Sequence, residues 1–176
     1  MIIGLSGYAR SGKDTVAGML IGLHRYENVA FADTIRDLLF AMDPLIMHGD
    51  TPFRLQDIVE SKGWETAKTE YPEVRRLLQD LGVGGRDLLD DNVWINAALK
   101  DFNKEDRIVV TDVRFKNEAA RIKNMGGQIW RVNRINIGPA NDHISETDLD
   151  DWAFDGVITN NSDMPNLIKQ IRALLG

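Results

Sequence analysis

The chain opens Met1-Ile2-Ile3-Gly4-Leu5-Ser6-Gly7-Tyr8-Ala9-Arg10-Ser11-Gly12-Lys13-Asp14-Thr15-Val16, and this stretch decides the fold. The apolar run over residues 2–5 is too short for a helix and reads as a buried strand. Downstream, Val16, Met19, Leu20 and Leu23 recur at i, i+3, i+4 and i+7, one apolar face of a helix. Between them lies Gly-x-x-x-x-Gly-Lys, in the strand–turn–helix context that a phosphate-binding loop requires. Its glycines let the backbone curl until successive N–H groups point at a polyphosphate, and the helix N-terminus adds partial positive charge. Lys13 is long enough to reach the β- and γ-phosphates. The usual pattern places Ser or Thr directly after the lysine, where its hydroxyl binds magnesium. Here Asp14 holds that place and Thr15 follows. A carboxylate serves Mg²⁺ directly or through water, which leaves Thr15 for the α-phosphate.

Outward from the loop, short apolar runs alternate with helical patterns. Residues 28–32 read as a second strand, and Ile35, Leu38, Leu39 and Met42 as a helix stopped by Asp43-Pro44. From about residue 44 to 107 no strand is expected. Leu55, Ile58 and Val59 suggest a short helix. Val74, Leu77, Leu78 and Leu81 suggest another, ended by Gly82 and the Gly84-Gly85 pair, and Ile95, Ala98, Leu99 and Phe102 a third. Ile108-Val109-Val110-Thr111 is a β-branched strand, residues 117–125 a helix, and residues 128–132 and 156–159 two more strands. The closing helix carries Met164, Leu167, Ile168, Ile171 and Leu175 on one face, with Ser162 or Asp163 as cap and Pro165 in its first turn. Strands alternating with helices predict a parallel sheet covered on both faces. The helical stretch between the second and third strands exceeds a simple crossover and reads as an insertion that contributes to a binding site. Residues 138–142 form a loop, and the acidic stretch 142–151 is expected to continue it as a solvated, partly helical segment.

Composition excludes several classes of function. At 176 residues the chain suits one domain able to bury a core. With no cysteine it has no disulfide framework, thiolate metal site or thiol nucleophile, which suits a reducing compartment. No apolar stretch nears the roughly 18 residues that would span a bilayer, and the N-terminus lacks a basic n-region, so neither membrane nor secretory signal is expected. Lys plus Arg total 21 against 27 Asp plus Glu, a net charge of -6, which argues against a broad nucleic-acid surface. An anionic ligand must therefore meet a local concentration of positive groups.

Two further sets of residues fit such a ligand. Asp112 stands at the carboxyl end of the strongest strand, where ligands bind open parallel sheets. It is placed to hold magnesium through water, and Arg114 to reach a transferring phosphoryl group. Arg10, Arg36, Arg75, Arg76, Arg86, Arg114, Arg131 and Arg134 fall beside strand ends, on the insertion or near glycine turns. Phosphoryl transfer needs such groups because its transition state spreads negative charge over peripheral oxygens. Arg36 is a good candidate to clamp an acceptor phosphate bidentately, and Arg86 is another. For Arg75, Arg76 and Arg131 a solvated role is as good a reading. His24, His48 and His143 lack metal-site spacing. Trp94 and Trp130 fit core packing, although Trp94 also lies near Asp91-Asn92, where it could line a base pocket.

These residues together resemble the deoxynucleoside monophosphate kinases of tailed bacteriophages. The likeness rests on Gly-x-x-x-x-Gly-Lys-Asp-Thr, Phe31-Ala-Asp-Thr-Ile-Arg36, Leu78-Gln79-x-Leu81-Gly82 with Gly85-Arg86, and Asp91-Asn92-Val93-Trp94. Thr111-Asp112-Val113-Arg114-Phe115-x-Asn117-Glu118 and His143-x-Ser145-Glu146 complete it, in order along almost the whole chain. The resemblance implies an α/β P-loop NTPase fold: a five-stranded parallel sheet flanked by helices (core 1–33 and 108–176), with a helical acceptor-binding insertion (34–107) between the second and third strands. It implies that Gly7, Arg10, Ser11, Gly12, Lys13, Asp14 and Thr15 hold an ATP donor, with Arg131 and Arg134 at the positions of lid arginines. Arg36, Arg86, Asp112, Arg114 and Glu118 would meet the acceptor phosphate, and Gln79, Asn92 and Trp94 the base or sugar. Lys13, Asp112 and Arg114 would be catalytic, and Asp14 and Asp112 would hold Mg²⁺.

The expected activity is transfer of the ATP γ-phosphoryl group to a deoxynucleoside monophosphate in the cytoplasm, or the host cytoplasm if the chain is phage-encoded. Its partners would be small nucleotides, with neither nucleic acid nor membrane, and the oligomeric state stays open, a homodimer included. The rival readings are another small-molecule kinase of the same fold, acting on a substrate such as dephospho-coenzyme A, and a regulatory ATP-binding module with slow hydrolysis.

Overall fold

A computed structural model describes residues 1–103, 105–139 and 144–176, with only the backbone of Ser145. The chain divides into two compact units, residues 1–31 with 99–176, and residues 32–98. The first unit begins with β1 (Ile2–Ser6), α1 (Lys13–His24) and β2 (Glu27–Val29). From Phe31 the chain enters α2 (Phe31–Met42), and the second unit continues through β3 (Leu45–His48), β4 (Thr51–Arg54), α3 (Leu55–Glu70), α4 (Pro72–Leu88) and α5 (Val93–Ala98). The first unit then resumes with β5 (Ile108–Val110), α6 (Lys116–Asn124), β6 (Gln128–Asn133), α7 (Ile144–Thr147), β7 (Gly156–Thr159) and α8 (Met164–Leu175).

In the first unit all five strands run parallel in the order β2-β5-β1-β6-β7, the α/β architecture expected of the sequence. β1 lies in the middle, with Ile3 opposite Val109 and Leu5 opposite Trp130, and every one of its residues is buried. That is why residues 2–5 read as a continuous apolar run rather than an alternation. Ile3 and Leu5 pack with Val16 and Leu20 of α1, Trp130 and Val132 of β6, and Leu167 and Ile171 of α8. Asp163 caps α8 through a bond from the Asn166 amide at 3.1 Å, and Pro165 occupies the first turn. The phosphate-loop sequence therefore leaves the carboxyl end of the central strand, where open parallel sheets present ligand sites.

The second unit has its own core of Leu39, Ile46, Leu55, Ile58, Ala67, Tyr71 and Val74. Here the structure corrects three expectations. Residues 45–54 form a β-hairpin, antiparallel from Leu45 opposite Arg54 to His48 opposite Thr51. Only Ile46 of its eight strand residues is buried, so no apolar alternation marks it, and Pro52 argues against a strand by sequence. A two-stranded ribbon tolerates that proline because both of its strands are edges. Second, α3 is longer than expected and bends at Gly63, whose φ of 75° and ψ of 161° separate two helical segments.

Third, Gly82, Gly84 and Gly85 do not end a helix but lie inside α4. A Cβ on Gly85 would sit 2.4 Å from the Trp94 ring, and the Trp94 indole N–H donates to the Gly82 carbonyl at 2.9 Å. Gly85 admits an indole against the helix backbone, a packing role that a sequence pattern reads as flexibility. Among the described residues no helix is long and apolar enough to cross a membrane.

Candidate active site

The loop between β1 and α1 holds the backbone conformations its glycines suggest. Gly7 and Gly12 lie at φ 142° and 102°. A Cβ on Gly7 would meet the Val132 carbonyl oxygen at 2.4 Å, and one on Gly12 the Asn160 amide nitrogen at 2.0 Å. Arg10, exposed at the loop tip, is also left-handed at φ 65°. The Ser11 amide donates to the Tyr8 carbonyl at 3.2 Å, and Asn160 Nδ2 donates to the Ser11 carbonyl at 3.0 Å. Lys13 folds back over the loop, its Nζ donating to the carbonyls of Gly7 at 2.7 Å and Tyr8 at 3.0 Å. Burial pushes its ammonium below the ordinary lysine value and the Arg114 charge adds to this, while Asp14 and Glu146 oppose it. A cation held this way gains from a bound polyphosphate, whose charge replaces the lost hydration. Ser11 Oγ is fully buried and has no hydrogen-bond partner among the described residues, so the cradle contains a polar atom that a phosphate oxygen would satisfy.

The other expected donor and transfer residues gather in the same unit. Asp14 and Thr15 are exposed in the first turn of α1. Asp112 follows β5, and its Oδ1 accepts from the Phe31 amide at 2.9 Å, tying the end of that strand to the start of α2. Arg114 donates through Nη1 to Glu146 Oε1 at 2.7 Å and keeps a half-exposed side chain. Glu118 is buried; its Oε2 accepts from the amides of Arg114 at 2.7 Å and Phe115 at 3.0 Å, so it closes the N-terminus of α6. Among the described residues no three His, Asp or Glu side chains group as a metal cluster. The side chains expected to hold a cation, Asp14, Thr15 and Asp112, offer oxygen only. That fits Mg²⁺, which takes one or two carboxylates and leaves its other positions to water and phosphate.

Arg131 has a different setting from the one the lid position implies. It is buried on β6 and donates through Nη2 to Asp150 Oδ1 at 2.7 Å. Its guanidinium lies 4.5 Å from the Tyr8 ring centroid and 5.6 Å from that of Phe154. Tyr8 in turn donates its hydroxyl to Asp150 Oδ2 at 2.7 Å, a bond that, ahead of burial, raises the phenol above its usual range. Arg131, Asp150 and Tyr8 thus brace the phosphate loop from below by cation–π and charge-assisted contacts. The acidic stretch is accordingly not simply solvated. Asp148 accepts from the Lys116 amide at 2.8 Å, Asp151 pairs with the Lys116 ammonium at 2.8 Å, and Glu146 and Asp150 hold arginines. Of the remaining motif, His143 lies outside the described residues, as do residues 140–142 of the expected loop.

In the second unit, a cavity of about 270 Å³ opens among α2, α3 and α4. Three cations line it, Arg36, Lys68 and Arg75, with the Gln79 amide and the apolar side chains of Ile35 and Leu78. Asp33 holds Arg36 Nη1 at 2.7 Å. Of the expected acceptor residues, Arg36 and Gln79 therefore share one site. Arg86, half-buried on α4, and Asn92, whose amide bonds to Asp90 Oδ1 at 2.7 Å, do not line it. Trp94 is buried in the packing against Gly82 and Gly85. Arg76, by contrast with its neighbour Arg75, is spent on exposed pairs with Glu73 and Asp80.

The sequence profile of the family described as deoxynucleotide monophosphate kinase matches residues 44–171, most of the chain. The chain belongs to that family. The matched span begins beyond the phosphate loop, so the loop and the family match are separate observations. A protein of Acanthamoeba polyphaga mimivirus, provisionally named a deoxynucleotide monophosphate kinase, is 28% identical over 187 residues, covering 97% of this chain and 94% of the relative. Among solved structures, shikimate kinase from Aquifex aeolicus is 15% identical with a TM-score of 0.49, over 99% of this chain and 96% of that one. Dephospho-CoA kinase from Campylobacter jejuni is 12% identical with a TM-score of 0.45, over 99% and 94%.

For this member of the kinase family, four site residues escape sequence reading: Tyr8, Asn160 and Asp150 around the loop, and Lys68 in the cavity. The first three act across 142 to 149 residues of chain, and no local pattern announces such contacts. Lys68 had a signal in principle, since it lies on the same helix as a carboxylate three residues before it.

Proposed function

We propose that the protein transfers the γ-phosphoryl group of ATP to the phosphate of a deoxynucleoside monophosphate. The observation that carries this is the presence, in a member of this family, of two phosphate-type sites of different build. One is a backbone cradle with a lysine, suited to a polyphosphate. The other is a small cavity with three cations, a side-chain amide and apolar walls, suited to one phosphate attached to a base and sugar. The acceptor needs no strong base. Its phosphate has a second pKa near about 6, so its oxygen is already largely ionised at pH 7.

In the proposed step an acceptor phosphate oxygen forms a bond to the γ-phosphorus while the bond to the β–γ bridging oxygen breaks, leaving ADP and the diphosphate. The loop amides and Lys13 hold the β- and γ-phosphates and take up charge on the leaving oxygen, and Arg114 neutralises the peripheral oxygens in transit. Arg36 orients the acceptor phosphate for in-line attack, and Gln79 offers both a donor and an acceptor to a base edge. Asp14, Asp112 and Thr15 would hold Mg²⁺, which when bound supplies positive charge to the phosphate oxygens. Arg131 serves by fixing the loop through Tyr8 and Asp150, and Glu118 by fixing the Arg114 backbone.

A coupled assay of ADP formation with ATP and each of the four common deoxynucleoside monophosphates tests the reading. At least one should stimulate turnover; absence of stimulation by all four would overturn it. Within that assay Arg36→Ala should raise the acceptor KM by about tenfold or more, the loss of a charge-assisted hydrogen bond, with a smaller effect on kcat. An unchanged acceptor KM would remove Arg36 from the acceptor site.

A further inference from the structure

Two carboxylates pair with the cations of the α2–α3–α4 cavity, Asp33 with Arg36 and Glu65 with both Lys68 and Arg36. Glu65 Oε1 lies 2.6 Å from Lys68 Nζ and 3.8 Å from Arg36 Nη2. Lys68 and Arg36 are recessed, 19% and 28% exposed, whereas Glu65 is 83% exposed, so the carboxylate meets the two cations from the more exposed position. Lys68, Arg36 and Arg75 all stabilise its charged form. Arg36 presents to it the nitrogen that Asp33 does not occupy, since Asp33 holds Nη1. Glu65 and Lys68 lie three residues apart in the helical segment that begins after the bend at Gly63, which puts both on one face.

As a surface ion pair this arrangement would contribute little to stability. Its position gives it another consequence. One carboxylate oxygen shared by a lysine and an arginine reproduces the contact that a phosphate oxygen would make with the same pair. A carboxylate brings one charge and two oxygens. A phosphate monoester near neutral pH brings close to two charges and three oxygens, enough to engage Lys68, Arg36 and Arg75 together.

We propose that Glu65 is a resident counter-ion on the acceptor-phosphate seat, displaced by a dianionic phosphate monoester and not by singly charged anions. The residue thereby tilts binding toward dianionic monoesters and away from phosphodiesters and carboxylates. The inference rests on reading this cavity as the seat of the acceptor's phosphate. Occupancy by the acceptor leaves Glu65 in water, where an exposed carboxylate is readily hydrated.

The test is Glu65→Gln in the full chain, which keeps the shape and removes the charge. Inorganic phosphate, titrated calorimetrically at low salt, should bind about threefold or more tighter to the variant than to the wild type, the worth of an exposed ion pair. Dimethyl phosphate, a single negative charge, should gain binding by at least as large a factor, so that the preference for the dianion narrows. With a deoxynucleoside monophosphate the gain should appear in KM and not in kcat. Were Glu65 merely holding Lys68 in place, the variant would bind phosphate more weakly. Weaker or unchanged phosphate binding overturns the proposal. Glu65→Ala repeats the measurement should the amide variant fold poorly. Tighter phosphate binding without phosphorylation of any monophosphate would leave the counter-ion role standing and reject the acceptor reading. Phosphorylation with unchanged phosphate binding would do the reverse.

Discussion

Replacement of Lys13 by methionine should lower kcat at least about 10²- to 10³-fold while the protein still unfolds cooperatively. The size follows from removing a preorganised positive group from the place where charge develops on the leaving phosphate. The fold should survive because, among the described residues, Nζ bonds to the backbone carbonyls of Gly7 and Tyr8, both only partly buried. Leaving two partly buried carbonyls to water costs about 1–3 kcal/mol at most, short of typical domain stability. Initial rates with a thermal melt on the same preparation check both halves. Near-normal turnover in the variant would show that the loop is not the donor site.

The second large effect is expected at Gly7. Alanine there would place a methyl group 2.4 Å from the Val132 carbonyl oxygen at a φ of 142°. The obstacle is backbone of β6, which cannot turn away as a side chain can. Left-handed strain and overpacking together cost about 2–4 kcal/mol, or roughly 4–16 °C in Tm for a chain of this length. The loop would relieve the clash by moving its amides, so affinity for ATP should fall as well. Calorimetric melting and ATP titration measure the two consequences. A variant as stable as wild type would mean that the β1-to-α1 turn does not press on β6.

Not all parts of this molecule are equally visible in its sequence. The central strand is, because burial on both faces makes Ile2, Ile3 and Leu5 a continuous run, and the loop is, because its glycines satisfy a backbone requirement no other residue meets as well. The hairpin at residues 45–54 is not, since seven of its eight strand positions face water or are only partly covered and burial is what writes the alternation. Gly82 and Gly85 mislead for a related reason. At Gly85 the absent side chain makes room for Trp94, and at Gly82 a Cβ would press on Ile35 at 3.2 Å; both contacts are made by the tertiary fold, and helix propensity alone scores the glycines as breakers. Asp150 likewise looks like one more solvated acid until Tyr8 and Arg131 are brought to it by β1 and β6. In the cavity, the sequence shows arginines but not which one is spent: Arg76 has Glu73 and Asp80 beside it on α4, and Arg75, one residue away, faces the cavity.

A net charge of -6 is compatible with phosphate chemistry because the positive groups are concentrated. Around the loop, Lys13 and Arg114 stand near each other, and in the cavity Arg36, Lys68 and Arg75 stand together, with Asp33 and Glu65 as counterweights. Both arrangements are local and leave the acidic remainder of the surface free to repel nonspecific anions such as nucleic acid.

The most direct measurement follows the phosphoryl group itself. ATP labelled in its γ-phosphate is incubated with the protein, Mg²⁺ and each deoxynucleoside monophosphate in turn, and the products are separated. Label should appear in a deoxynucleoside diphosphate, in step with ADP and faster than in inorganic phosphate. Label that reaches only inorganic phosphate, at a rate indifferent to every monophosphate, would contradict the proposed transfer.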